Sequence, residues 1–451
     1  MDFVIRAVAL IDGEHYPPVV RFALDALAAE YEVVAAAFMG GTEKIDLAAG
    51  AAVYGVPVLF AESAEEALRD AIETYGPDLV VDLSDEPVLS AADRFRLAGI
   101  ALGHGVAYRG ADFRFDPPSS PVVTRTPALG VIGTGKRVGK TAVSAYIARR
   151  LKAAGRDIVV LAMGRGGPAE PELIRGDEVA LTTEDLLMLA AQGKHASSDN
   201  YEDAVMSRVT TVGCRRCGGG MAGGTFFSNV PEGALLVDSL GKELLVLEGS
   251  GAAIPPVASD ADILVVGAGQ GVSYVRDYFG PYRLKRADGV IIANAEEPVA
   301  SASDVAKIVA AIRAQREDVP IAVTTFRPKP IEDVSGKRMF FATTAPQGVL
   351  PILVKHLESE YGCIVIGSSP NLSDRASLRV DMAACSGLYD LMLTELKAAA
   401  IDVVAVAGVE FGVPTVLCDN VPVSIGATHI DEVIDHAVEV ALERAQARRG
   451  S

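Results

Sequence analysis

The stretch ALGVIGTGKRVGKTAVSAYIARRLKA, residues 128–153, restricts the possible folds of this chain more than any other. An apolar run, ALGVI, enters a glycine-rich turn. Gly-Lys-Thr then opens a helix whose Val143, Ile147 and Leu151 recur one turn apart. Strand, loop and helix in that order predict a phosphate-binding loop, because backbone N–H groups at a helix start face an anion and the helix dipole assists them. Gly133, Thr134, Gly135, Val138, Gly139, Thr141 and Ala142 are the expected cradle for ATP. Lys140 is expected to span the β- and γ-phosphates, with the Thr141 hydroxyl on Mg²⁺. The strict pattern wants glycine five residues before Gly139; Thr134 stands there, between Gly133 and Gly135.

Two further cations, Lys136 and Arg137, sit in this loop although the formal net charge of the chain is -18. That charge argues against general binding to nucleic acid or an acidic membrane, where a basic face is expected. A strongly anionic small molecule would have to meet a local cluster of cations. The chain has 451 residues, half of them hydrophobic, enough for two or three domains with their own cores. Its five cysteines form no disulfide framework. MDFVIRAVALIDG does not read as a signal peptide, and no apolar run is long enough for a membrane span. A cytoplasmic protein is expected.

Short Val/Ile/Leu runs alternate with Ala-rich helical stretches throughout, which predicts α/β architecture with mostly parallel, buried strands. Expected strands in the first block are 3–11, 32–38 and 78–83, closing at the Pro/Ser-rich stretch 113–127. The expected domains are an N-terminal Rossmann-like parallel-sheet domain over 1–120, a P-loop core over 121–345, and a C-terminal α/β extension over 346–451. Whether the last strands extend the central sheet or form a subdomain is open at this level.

Outside the loop, Glu248 ends the apolar run ELLVLE, where a carboxylate beside the P-loop strand could ligate Mg²⁺ or merely cap a strand. Asn294 ends GVIIAN and could read the adenine edge; Arg327 and Pro328, following Phe326 after the strand 320–325, could sandwich the ring. Turn chemistry explains both almost as well. Arg165 follows the strand 157–163 and is a candidate oxyanion ligand, or a solvated loop arginine. VGCRRCGGGMAGG, residues 212–224, offers Arg215 and Arg216 amid glycines, suited to close phosphate contact. Zinc shared across a dimer axis, or a redox pair, remains open for Cys214 and Cys217. GKHASSDNYEDAV contains Lys194 and His195, the latter a candidate substrate ligand, in what could equally be a solvated helix face. IDGEHYPP places Asp12, Glu14 and His15 at a strand's carboxyl end.

GTGKRVGKT resembles the loop of dethiobiotin synthetase and its class of P-loop ligases, as does the Glu-Gly-x-Gly after ELLVL. DGEHYP, GTGKRVGKTA, GKHA…SDNYEDA, VGCRRCGGG, FRPKP and FFATTAP together resemble the cyclic 2,3-diphosphoglycerate synthetase family across most of the chain. That resemblance implies an ATP-dependent enzyme taking 2,3-bisphosphoglycerate to its cyclic pyrophosphate with ADP and phosphate released. It implies Lys140, Lys136 and Arg137 as catalytic cations, Arg165, His195, Arg215 and Arg216 as substrate ligands, Thr141 and Glu248 as metal ligands, and a homodimer. Another ligase of the same class, acting on a carboxylate or amine, and a nucleotide-dependent switch ATPase are the competing expectations.

Overall fold

A computed structural model describes residues 4–41 and 51–450, which group into two compact units. The first comprises the chain up to Pro118 together with Val272–Arg286 and Ala314–Glu317. The second comprises Ser119–Gly271, Ala287–Arg313 and the chain from Asp318 onward.

In the first unit, strands β1 (Arg6–Ile11), β2 (Glu32–Phe38), β3 (Val58–Leu59), β4 (Leu79–Asp82), β5 (Ala107–Arg109) and β6 (Arg114–Phe115) form a sheet. Their order is β3-β2-β1-β4-β5-β6, parallel except for the β5/β6 pair. Helices α1 (Pro17–Leu27), α2 (Ala64–Tyr75) and α3 (Ala91–Gly103) make the crossovers. The strand order reverses at the β1/β4 junction, the place where doubly wound sheets open a crevice. There the fully buried Asp12 carboxylate accepts from the backbone N–H of Glu14 (3.0 Å), His15 (3.2 Å) and Asp85 (2.7 Å), and from the His15 ring (2.8 Å). Asp12 therefore organises the loop. The segment Val272–Arg286, within the span expected for the P-loop core, also clusters with this unit.

The second unit is built on one long sheet, ordered β11-β10-β8-β12-β7-β13-β14-β15-β19-β18-β16-β17, with β9 (Glu172–Arg175) pairing β10. Its P-loop half contains β7 (Ala128–Gly133), β8 (Ile158–Gly164), β10 (Thr210–Cys217), β11 (Phe227–Ser228), β12 (Leu244–Glu248), β13 (Ala261–Gly267), β14 (Gly289–Ala293) and β15 (Ile321–Pro330). The remainder is β16 (Arg338–Ala342), β17 (Ile364–Ser369), β18 (Leu391–Glu395) and β19 (Thr415–Ser424). The two parts join where β15 runs antiparallel to β19. The C-terminal strands thus extend the sheet.

The P-loop half is packed on both faces of its sheet. β7 lies between β12 and β13 with its side chains inaccessible. On one face, helix α4 (Lys140–Ala153) lays down Val143, Ile147 and Leu151, all at 3% exposure or less. Each such side chain stabilises the fold by about 1.5–3 kcal/mol when fully buried. The C-terminal helix Ile430–Gly450 covers the same face with Ile430, Val433, Ile434 and Ala437. The opposite face is closed by Val230–Ser239, which packs Val230, Ala234 and Val237 on Leu161, Val212 and Leu245. Strands covered on both sides need not alternate in polarity, which is why they read as continuous apolar runs.

Candidate functional site

β7 ends at Gly133, and the loop returns the chain to Lys140, the first residue of α4. Gly139 has φ 88°, and a Cβ there would lie 2.3 Å from Phe326 Cζ, so both backbone angle and close approach demand glycine. Thr134 does not face the loop's concavity. It is buried, its hydroxyl donates to Gln270 Oε1 at 2.5 Å, and its N–H donates to the Val265 carbonyl at 3.1 Å. Threonine at that place therefore ties the loop to the end of β13, and Gln270, lying against Gly135, is an anchor that the motif alone did not indicate.

The loop from Gly135 to Ala142 lines a cavity of about 1110 Å³. Lys136 and Arg137 are exposed on this wall, and Arg137 adopts φ 62°, a left-handed angle costing about 1 kcal/mol for a non-glycine residue. Lys140 is 7% exposed. Burial pushes its pKa down, while the carboxylates of Glu248 and Asp199 oppose that shift.

β12 is parallel to β7 with Glu248 opposite Val131, so the carboxylate stands at the loop's flank. Neither Glu248 oxygen meets a donor at bonding geometry, although the Thr141 hydroxyl and the Asp203 carboxyl are its neighbours. Burial and the charge of Asp199 push Glu248 up, and burial with Glu248 beside it pushes Asp203 well above the carboxylate range. Asp199 and Asp203 come from a helix, Asp199–Glu202, that runs on as a π-helical turn, Asp203–Ser207. The stretch weighed as a solvated face is thus turned inward from Ser198 on: Asn200, Glu202 and Asp203 are buried. Lys194 points elsewhere, to Glu172, whereas His195 sits against Gly166 and lines the cavity.

Arg165 also lines it, at the carboxyl end of β8. A second cavity of about 660 Å³ shares Arg165 and Gly166 as wall and continues past Arg215, Arg216 and Asn229. Arg215 and Arg216, expected as substrate ligands, both border this second cavity but make different contacts from the strand they occupy. Consecutive strand residues point to opposite sides. Arg215 Nε donates to the Gly167 (3.1 Å) and Pro168 (2.6 Å) carbonyls, and Arg216 Nη2 to the Ser250 carbonyl (2.9 Å). Burial and the neighbouring Arg165 push Arg216 down. The same alternation separates Cys214, buried and pushed up to about 12 by burial, from the exposed Cys217. No group of three His, Cys, Asp or Glu suited to a metal occurs among the described residues.

Asn294 lines the first cavity at φ 56°, a left-handed angle that asparagine tolerates. Arg327 and Pro328 do not line it. β15 continues to Pro330 because β19 supplies antiparallel partners, Val421 for Arg327 and Asn420 for Pro328. The Arg327 guanidinium is bidentate on Glu296 (2.5 and 2.8 Å). Phe326 and Thr325 take the wall positions instead.

The C-terminal segment contributes a wall that the sequence reading did not assign, including Thr344, Asn371, Ser373 and Lys397. Thr344 and Lys397 follow β16 and β18 at their carboxyl ends, the general ligand edge of such a sheet, which is the signal that could have found them. Among the described residues, no helix is long and apolar enough to cross a membrane.

Comparison with known proteins gives this architecture its relatives. Residues 6–116, 128–325 and 330–421 match, respectively, the N-terminal, P-loop and C-terminal domains of cyclic 2,3-diphosphoglycerate synthetase. The protein of that name from Methanothermus fervidus is 45% identical over 449 residues, 97% of this chain and 98% of its own. The one from Rubrobacter xylanophilus is 49% identical over 424 residues, covering 94% and 95%. The one from Thermococcus gammatolerans is 48% identical over 430 residues, covering 95% and 96%. With the P-loop, its buried lysine and all three matched domains in one chain, this protein belongs to the cyclic 2,3-diphosphoglycerate synthetase family and is an ATP-dependent enzyme of the ligase type.

Proposed function

We propose that the protein closes a phosphoanhydride ring within 2,3-bisphosphoglycerate at the expense of ATP. The observation that carries this reading is the shared wall: Arg165 and Gly166 border both the P-loop cavity and the arginine-lined cavity beside it. Two anions can therefore lie side by side, and a bisphosphate needs that provision more than a carboxylate or amine would. Closing the ring brings together phosphates carrying roughly four negative charges. Each charge-assisted contact offsets about 1.5–3 kcal/mol of that repulsion.

In the first step, an oxygen of one substrate phosphate attacks the γ-phosphorus of ATP. The bond to the β-γ bridging oxygen breaks and ADP leaves with that electron pair. In the second step, an oxygen of the other substrate phosphate attacks the phosphorus so activated, the ring P–O–P bond forms, and inorganic phosphate departs. Lys140 holds the β- and γ-phosphates. Lys136, Arg137, Arg165 and Arg216 neutralise the charge where the two ligands meet, Arg215 lies farther out, and His195 beside Gly166 borders the substrate. No side chain is assigned as general base, because a phosphate dianion is already a competent nucleophile.

The residues fit a hard divalent cation. Glu248 presents two buried oxygens without donors next to the Thr141 hydroxyl, and Mg²⁺ takes one or two carboxylates plus substrate phosphates. Bound there, Mg²⁺ would supply charge neutralisation at the β- and γ-phosphates. Asn294 and Phe326 line the same cavity and would meet the base. A cytoplasmic homodimer is part of the same reading, and light scattering tests the dimer. Incubating the protein with ATP, Mg²⁺ and 2,3-bisphosphoglycerate should yield a cyclic pyrophosphate by phosphorus NMR. ATP consumption without a cyclic species would sink the proposal.

A further inference from the structure

The C-terminal segment places a lysine in the nucleotide cavity, and its setting differs from that of a surface ion pair. Strand β18 ends at Glu395, and the chain then makes a tight turn. Lys397 N–H donates to the Glu395 carbonyl (2.9 Å), Ala400 N–H to the Lys397 carbonyl (2.9 Å), and Ala399 N–H to the Leu372 carbonyl (3.2 Å). Ala398 is held at φ 48° within this turn. A left-handed alanine costs about 1–2 kcal/mol, and such strain persists only where surrounding contacts impose it. The turn is therefore a fixed mount.

The side chain it carries is 26% exposed and forms part of the same cavity wall as Lys140, Asp199 and Thr344. Its nearest carboxyl among the described residues is that of Glu202, one oxygen of which lies at 3.2 Å; the other Glu202 oxygen is buried without a partner. An ammonium has three N–H donors, and one carboxylate oxygen satisfies only part of that capacity. Burial opposes the charge of Lys397, yet Glu202 and Glu395 more than offset it and keep the group protonated. The charge of Lys397 also bears on Lys140. Two fixed cations thus face one ligand volume from different parts of the sheet.

We propose that Lys397 is a catalytic residue that hydrogen-bonds the phosphoryl group in transit from ATP to its acceptor. In such a transfer the charge spreads over three equatorial oxygens. Lys140 reaches them from the P-loop and Lys397 from the turn after β18. Lys397 keeps its proton throughout, and no bond to it forms or breaks. Because the mount is rigid, its donors need no reorganisation when charge develops. The inference rests on ATP-dependent phosphoryl transfer and not on the identity of the acceptor.

The test compares binding of ADP with binding of ADP plus aluminium fluoride, a mimic of the phosphoryl group in flight, alongside turnover. Lys397→Met should lower kcat about 10²–10³-fold, leave ADP affinity within about threefold, and weaken the fluoride complex about 30-fold or more. If Lys397 were only a counter-ion for Glu202, the double variant Lys397→Met/Glu202→Gln would recover turnover and the tight fluoride complex, which would overturn the proposal. The double variant removes both members of the contact and covers the case in which Lys397→Met alone does not fold. Its continued loss of both readouts is the expected result. Failure of the wild type to cyclise bisphosphoglycerate would refute the substrate assignment and leave the fluoride comparison decisive for Lys397.

Discussion

The guanidinium of Arg216 donates to both the carbonyl (2.9 Å) and the hydroxyl (3.3 Å) of Ser250, two residues beyond Glu248. One arginine thus ties the end of β10 to the turn that flanks the phosphate-binding loop. Arg165 approaches the same turn, with Nη2 2.8 Å from where a Cβ on Gly251 would stand.

Arg216→Ala should therefore weaken bisphosphoglycerate binding about 10- to 100-fold, the size of one charge-assisted contact. Arg215→Ala should act more mildly, since that guanidinium is turned to the Gly167–Pro168 loop and not to the turn at Ser250 that flanks the phosphate-binding loop. Calorimetry with ATP and with bisphosphoglycerate separates the effects. Nucleotide affinity should be nearly intact in both variants, and the reverse pattern would remove these arginines from the substrate site.

Glu248→Gln should uncouple stability from activity. Its buried carboxyl is pushed up by burial and by the charge of Asp199, which outweigh the pull of Lys140, so a neutral amide should raise Tm in the absence of metal. Turnover should fall about 10²-fold or more as a charge ligand is lost. A lower Tm without metal would contradict the electrostatic account.

The pH dependence of stability should carry the signature of Glu202, which burial pushes up to about 8. The native state then holds a proton that the unfolded chain releases above the usual carboxylate range. This contribution is complete below pH about 4.5 and is lost as pH rises through about 8. Urea unfolding across that window should show wild-type stability declining with pH, and Glu202→Gln should flatten the decline. An unchanged slope would mean that Glu202 ionises normally.

Gly139→Ala should damage nucleotide binding and stability together, because φ 88° strains any side chain and the added methyl meets the Phe326 ring. The angle alone costs about 1–2 kcal/mol. Melting and ATP titration should both shift, and Phe326→Ala should relieve the steric part without removing the angular strain.

A good part of this molecule was legible in the chain as written. Gly-Lys-Thr after ALGVI identified the P-loop because local geometry alone makes it work: a strand end, a turn requiring glycine at 139, and a helix start supplying N–H groups. Val143, Ile147 and Leu151 marked the buried face of α4 for the same reason, and Glu248 lay beside the loop once β12 paired with β7. Other matters depended on long-range pairing. Arg327 and Pro328 looked like loop residues until β19, almost a hundred positions later, extended β15 past them. Asp203 looked solvated until its π-helical turn was packed under the loop, and Lys397 had no local pattern to mark it. A motif whose function arises from consecutive backbone groups can be read in one dimension; a wall assembled from the carboxyl ends of distant strands exists only after the sheet has chosen its order.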